Sequence, residues 1–363
     1  MRILAINPGS TSTKIAVYED TKPLFVKSLS HSAEDLSIFD KVSDQYGFRK
    51  QLIKDELAAN GYNLADFDAV IGRGPLSKPV EGGVYVVTDD MVHEAKEAEH
   101  QHACDLGCIL AFDIASEIPG SISLMADPGV VDELCPYARI SGSPLMPRIA
   151  IWHALNQRAI ARRYAKSIGK KYKDLNLIIC HLGGGISVAA HERGRAIDTN
   201  NALDGEGPFS PERAGTLPSA DLIKLCYSGK YTQEQLLKRV AGQAGLAAHL
   251  GTTDMREILR RIEAGDKHAE LIINAMIYHI AKYIAAEGAV LCGDVDAILL
   301  TGGIAYSDYV VNRLKRRIEF LAPVHVFPGE DEMEALALNA LAVLRGEVQV
   351  KSYTQLDQEP IVQ

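Results

Sequence analysis

The sequence predicts an α/β protein of two domains that repeat one architecture, each opening on a strand, a glycine turn and a second strand. Three observations carry this. Residues 3–18 run as an apolar strand, the turn Pro8-Gly9-Ser10-Thr11-Ser12 and a second apolar strand. Residues 177–190 repeat that course around Gly183-Gly184-Gly185, so one copy opens the chain and the other starts its second half. Finally, 363 residues with 47% apolar and 23% charged side chains suffice for two separate cores.

The elements follow in order. After the first hairpin, 33–60 mixes apolar and charged residues at helical spacing, and 68–72 is a short buried strand that ends at a glycine. Gly72-Arg73-Gly74-Pro75 then reads as a loop. Residues 89–117 read as helices broken near Gly107, and 123–129 as a strand closing in the polar turn Asp127-Pro128-Gly129. Residues 141–147, rich in Ser, Gly and Pro, suit a linker and one hinge of a closing cleft. A helix follows over 152–165, and a second α/β unit begins at Asn176. Residues 198–218 form a loop dense in Gly, Pro, Asp and Glu, and loops of that length in a compact domain are usually functional. Helices dominate 219–291. The strand 297–300 runs into Thr301-Gly302-Gly303-Ile304-Ala305, where a Gly-Gly step lets backbone lie close to a ligand. A helix over 307–321, a last strand over 324–327 and an acid-opened helix over 332–345 complete the chain.

A glycine turn brings backbone N–H groups within reach of an anion, and neighbouring hydroxyls or a lysine add donors, so each hairpin suits a phosphate. Ser12-Thr13-Lys14 is followed by an apolar strand and not a helix, which excludes a P-loop. No G-x-G-x-x-G opens a helix after a strand, which disfavours a dinucleotide fold. Acidic residues outnumber basic ones 47 to 38, a net charge of −9 that leaves no footprint for nucleic acid and no cationic face for a membrane. Anionic ligands must then be held by local basic residues. Apolar runs are too short to span a bilayer and no apolar leader segment is apparent, so a cytoplasmic location is expected. The six cysteines lack paired C-x-x-C spacing and read as reduced thiols, with Cys180 and Cys292 as small core hydrophobes. His100, His102, Cys104 and Cys108 could suggest a metal. Without a second ligand cluster they read as a helix with one histidine turned toward a cleft.

Nine blocks, in order, resemble the acetate and butyrate kinases of the actin, hexokinase and sugar-kinase fold. They are 6–14 (INPGSTSTK), 71–74 (IGRG), 78–83 (KPVEGG), 126–128 (ADP), 152–157 (WHALNQ), 181–185 (HLGGG), 204–213 (DGEGPFSPER), 301–304 (TGGI) and 329–333 (GEDEM). KPVEGG and EGPFSPER are closer to the butyrate kinase branch. The resemblance covers essentially the whole chain. It implies a duplicated ribonuclease H-like fold with a central ATP cleft, the first domain being 1–147 completed by 332–363, and the second, nucleotide-binding domain being 148–331. It implies ATP/ADP and Mg²⁺ as cofactors, with a short-chain fatty acid or its acyl phosphate as substrate and a homodimer or larger assembly. Asn7 with Glu332, or its neighbour Asp331, would hold the metal. Ser10, Ser12, Lys14, His181, Gly183, Gly184 and Gly185 would contact phosphates, and Asp254, Arg256, Gly302, Gly303 and Ile304 would border the adenosine. Arg73 would bind the carboxylate and His102 would face the substrate. Asp127 would be the catalytic acidic residue, with His153 and Arg213 stabilising the transition state. The family has Asn where this chain has Asp105.

The chemistry suits those residue types. A carboxylate is already ionised and needs no base, so phosphoryl transfer to it rests on positioning and charge neutralisation, for which arginine forks are the expected tools. Taken alone, a loop arginine is more often a solvated charge, His153 a satisfied core histidine and Asp127 a turn former. Two other readings compete: a kinase for a hydroxylated, sugar-type substrate, with Asp127 as base, and a non-metabolic ATPase of the same fold.

Overall fold

The protein is described by a computed structural model covering residues 1–76, 78–97 and 102–353. It divides into two compact units, Met1–Asp132 with Ala154–Ala159 and Asp331–Gln363, and Glu133–His153 with Ile160–Glu330. The segment 133–147 and the six residues Ala154–Ala159 therefore fall on the other side of the division at 147/148 drawn from the sequence, and 141–147 lies inside the second unit.

The first unit is built on strands β1 (Arg2–Pro8), β2 (Ser12–Glu19), β3 (Lys22–Ser30), β4 (Ala69–Arg73), β5 (Val84–Val86) and β6 (Ile122–Ala126) in the order β3-β2-β1-β4-β6-β5. The second carries β7 (Asn176–Leu182), β8 (Ile186–Glu192), β9 (Arg195–Thr199), β10 (Ala297–Gly302) and β11 (Val324–Pro328) in the order β11-β10-β7-β8-β9. Both sheets place an antiparallel three-strand meander beside parallel strands, with β1 and β7, β2 and β8, β3 and β9, and β4 and β10 in equivalent positions. This repeated order is the duplication that the two hairpins predict.

Buried on both faces, the central strands are mostly apolar. In the first unit Leu4, Ile6, Ile15 and Val70 pack with the helices Tyr46–Ala59 and Leu106–Ser116. Ile3, Ala5, Ala16 and Ile71, on the opposite face, meet the helix Glu332–Leu344. In the second unit Ile178, Cys180, Val188 and Leu300 pack with the helices Lys267–Val290 and Asp308–Ile318, and Leu177, Ile179 and Leu299 with Ile160 and Tyr164.

Two expectations need correction and one is refined. The helices of 89–117 do part near Gly107, one spanning Asp89–Glu97 and the next Leu106–Ser116, and Gly107, second residue of the latter, packs closely on β4. A Cβ on Gly107 would fall on the Arg73 carbonyl oxygen and 2.7 Å from its nitrogen, while one on Gly72 would fall on the Gly107 carbonyl. The helix expected over 152–165 begins at Ala154, because Ile151 makes a β-bridge to Asn201 and holds the preceding residues extended. Cys180 is a core residue as expected, but Cys292 is exposed in a left-handed turn (φ +53°) after a helix. Among the described residues no helix is long and apolar enough to cross a membrane.

Candidate active site

The first glycine turn closes β1 onto β2, with Asn7 opposite Lys14 and Pro8 opposite Thr13, and the Gly9 N–H donates to the Ser12 carbonyl (2.7 Å). Ser10 at the tip and Lys14 are exposed, and Ser12 is half-buried. Asn7 Nδ2 donates to Glu332 Oε2 (2.5 Å), and Arg73 Nη1 donates to the same oxygen (3.3 Å). The two expected metal ligands and the expected carboxylate-binding arginine are thus one contiguous group. Glu332 reaches it from the first turn of the helix Glu332–Leu344, whose N-terminus favours a carboxylate. Arg73 stands at the end of β4 between Gly72, which lets the helix behind approach, and Gly74, where a Cβ would lie 2.6 Å from Pro128.

Two further residues serve this region, Asp105, which the sequence shows as a departure from the family, and one that the sequence does not single out. Asp105 Oδ2 accepts from the His102 N–H (2.7 Å) and Oδ1 from the Leu76 N–H (2.8 Å), so it ties the loop after Arg73 to the residue expected to face the substrate. Burial raises the Asp105 pKa, and the two backbone donors oppose that shift. His102 caps the short turn Ala103–Asp105, its Nδ1 accepting from the Cys104 N–H (3.3 Å) and lying 3.0 Å from Cys104 Sγ. Burial pushes the Cys104 thiol up to about 12, which leaves it a thiol at neutral pH. Among the described residues no group of three or more candidate ligands could hold a metal; His100 lies outside them.

The residue that the sequence does not single out is Arg158. Asp127 is almost fully buried with φ +39°; its Oδ1 accepts from the Gly83 N–H (2.8 Å) and lies 2.9 Å from Arg158 Nε. The Asp127 N–H in turn donates to the Gly83 carbonyl (2.9 Å), and a Cβ on Gly82 would lie 2.5 Å from the Arg158 guanidinium carbon. The Glu81-Gly82-Gly83 segment is glycine-rich because it lies flat on this ion pair. The first turn is braced in a comparable way by Arg49, whose guanidinium gathers the carbonyls of Gly9, Ser10 and Ser12.

In the second unit, the Gly183 N–H donates to the Gly185 carbonyl (3.2 Å) to form the second turn. Gly183 and Gly185 are each close against a neighbour. A Cβ on Gly183 would lie 2.7 Å from His181 Nε2, and one on Gly185 would collide with the Arg213 guanidinium. His181 pairs with Glu330 (3.1 Å) and stacks on His153, ring centres 3.8 Å apart and planes 11° from parallel. His153 Nδ1 lies 2.8 Å from Ser187 Oγ, the residue opposite His181 in the β7–β8 register. The 198–218 loop is fastened to the turn by Ser210 Oγ, which donates to the Gly184 carbonyl (2.6 Å), and Arg213 Nη1 donates to the Ala202 carbonyl. Arg213, His153, His181 and Gly183 to Gly185 are therefore one group, as their sequence blocks imply.

Beside this turn opens a cavity of about 530 Å³, lined by Gly183, Gly184, Arg256, Gly303, Ile304 and Tyr306 among others, a size that takes a nucleoside. Met255 and Leu259 give it an apolar wall. Asp254 lines it too, but its carboxylate caps the helix Met255–Glu263 by accepting from the Arg256 N–H (2.8 Å). Gly302 stands behind the cavity: with φ +91° it exchanges hydrogen bonds with Gly329, and a Cβ there would fall on the Leu182 carbonyl.

The chain is similar to known proteins along nearly its whole length. The Acetokinase family model matches residues 150–326. A "Probable butyrate kinase" of Bacteroides thetaiotaomicron is 63% identical over 353 residues, covering 97% of this chain and 100% of that protein. Another of that name, from Phocaeicola vulgatus, is 53% identical and covers 97% and 99%. Among solved structures, Porphyromonas gingivalis acetate kinase superposes with a TM-score of 0.78 at 19% identity, covering 94% of this chain and 99% of that one, so the fold is shared. With identity of this level along nearly its whole length, the chain is a member of the acetokinase family.

Proposed function

We propose that this protein transfers the γ-phosphoryl group of ATP to a short-chain carboxylate, with butyrate as the acid, giving butyryl phosphate and ADP reversibly. The observation that carries the reading is the second turn: Arg213 lies against Gly185 while the stacked His153 and His181 border Gly183, beside a nucleoside-sized cavity. One carboxylate oxygen attacks the γ-phosphorus in line, the bond to the β-phosphate oxygen breaks, and ADP leaves with that electron pair; no proton moves. Arg73 takes the acid's carboxylate, and Arg213 and His153 donate to the transferring oxygens, each such donor being worth about 3–4 kcal/mol. The first and second turns take phosphates, and the cavity takes adenosine.

Asn7 and Glu332 offer oxygen donors of the hard kind that suits Mg²⁺, which keeps few protein ligands and completes its shell with water and phosphate. When bound, the ion neutralises phosphate charge. Asp127, engaged with Gly83 and Arg158, acts by fixing the 81–83 loop; it is poorly placed to be the free base that a sugar-type acceptor needs. A homodimer is also proposed, on the strength of the exposed apolar side chains Tyr137, Ile140, Leu145, Met146 and Ile149.

The test is a hydroxylamine-trapping assay across straight and branched short acids. Acyl phosphate yields a hydroxamate and a phosphate ester does not. Arg73→Ala and Arg213→Ala are each expected to lose about a hundredfold or more in kcat/KM, because each removes charge-assisted contacts to reacting groups. Near-wild-type rates in either variant would refute its role, and ATP hydrolysis indifferent to the acid would refute the reaction.

A further inference from the structure

Arg49, on the helix Tyr46–Ala59, has 0% of its surface exposed. Its Nη1 donates to the carbonyls of Gly9 (2.8 Å) and Ser12 (3.1 Å) and to Thr13 Oγ1 (3.0 Å), and Nη2 donates to the Ser10 carbonyl (3.2 Å). Gln45 Oε1 takes Nε (3.2 Å) and Nη2 (2.8 Å). All these acceptors are neutral. Among the described residues no carboxylate pairs with it; burial lowers its pKa to about 10, so the cation persists at neutral pH. An unpaired buried charge is costly, and one retained under a ligand turn asks what offsets it.

The geometry of the peptide supplies the answer. In a trans peptide the N–H points opposite to the preceding carbonyl. With the Gly9 and Ser10 carbonyls drawn back onto the guanidinium, the N–H groups of Ser10 and Thr11 point the other way, off the front of an exposed tip. Oriented N–H groups backed by a full positive charge make an anion site. We propose that Arg49 is a positioning residue of the first phosphate turn, and that the phosphates of bound nucleotide supply the counter-charge its guanidinium lacks within the protein. This rests on the ATP-dependent reading above.

The test compares wild type with Arg49→Met, which keeps the stem but loses charge and donors, and Arg49→Lys, which keeps the charge but cannot fork. Calorimetric titration of the full chain uses MgATP, magnesium tripolyphosphate and adenosine as probes. For Arg49→Met the expected result is about a tenfold or greater loss of affinity for MgATP and tripolyphosphate, unchanged adenosine affinity and unchanged KM for butyrate. Arg49→Lys should recover part of the loss. A folded Arg49→Met or Arg49→Lys with wild-type affinity for tripolyphosphate, or with equal losses for all probes, overturns the proposal. Should neither variant fold, amide exchange in wild type decides: slowing at Ser10 and Thr11 on adding MgATP supports it, and no slowing overturns it. Hydroxamate formation by wild type separately decides the reaction. An enzyme that binds MgATP but forms no acyl phosphate sinks the acid reading, and the affinity comparison still judges Arg49.

Discussion

Glu287, in the last turn of the helix Lys267–Val290, is only 6% exposed, and its Oε2 has no hydrogen-bond partner. Burial, and then the neighbouring Asp198 carboxylate, push its pKa well above the carboxylate range, with Arg148 opposing. Asp198 is raised by its own burial despite its ion pair with Arg148 (2.9 Å), which also holds Glu206 (2.9 Å). The sign follows from proton uptake. The fold holds Glu287 protonated at a pH where the unfolded chain has already released it, so the group costs nothing below the unfolded pKa and stability is lost as pH rises toward the folded one. Glu287→Gln, an isostere without the charge, should therefore melt above wild type at pH 8, by on the order of 1–3 kcal/mol, and the gap should close on acidification toward pH 4.5. Parallel melting curves from pH 4.5 to 8 would contradict this. At this scale the sequence singles out an arginine only where it stands among glycines. Arg73 and Arg213 sit in such blocks, whereas Arg49 and Arg158 lie in charged helices, where an arginine looks like any solvated side chain and only the tertiary fold buries it.

Gly107 and Gly72 show the same limit for elements. In the sequence Gly107 marks only a helix boundary, whereas in the fold it faces Gly72, and the two glycines let the helix Leu106–Ser116 lie directly on β4 and set the height of Arg73. Gly107→Ala should destabilise by about 1–3 kcal/mol through overpacking and should lower activity with acid as well, because the side chain would press on the Arg73 backbone. Gly47→Ala is the control: that glycine is also helical, its Cβ position is open, and the change should stabilise by up to about 1 kcal/mol. Urea melts of the two variants that move in the same direction would refute the packing account. Both hairpins and the central strands β4, β7 and β10 were legible because strands buried on two faces are continuously apolar. The strands β3 and β5 were not, since β3 is mostly exposed along its length and β5 has only three residues.

For the whole molecule, duplication was legible and quaternary structure was not. Recurrence of a strand-glycine-strand unit at the head of each half foretold two sheets of matching order, because each unit must be the centre of its own sheet. An interface leaves no such period. What it leaves is surface composition: between Tyr137 and Ile149 the chain exposes Tyr137 (89%), Leu145 (87%) and Met146 (67%), with Ile140 and Ile149 also more than half exposed. Single exposed apolar residues need no explanation, but five large ones within one short segment of a chain of net charge −9 favour a partner. A two-fold pairing lets the same patch serve both copies and closes the assembly. Light scattering of wild type at micromolar concentration is expected to give the mass of a dimer, and Leu145→Lys with Met146→Asp to give that of a folded monomer, since each copy would bury two unpaired charges. The substitutions lie among exposed residues, so the melting temperature of the separated chains should stay close to wild type. A monomeric wild type, or a double variant that remains dimeric, would show that this face is not the interface.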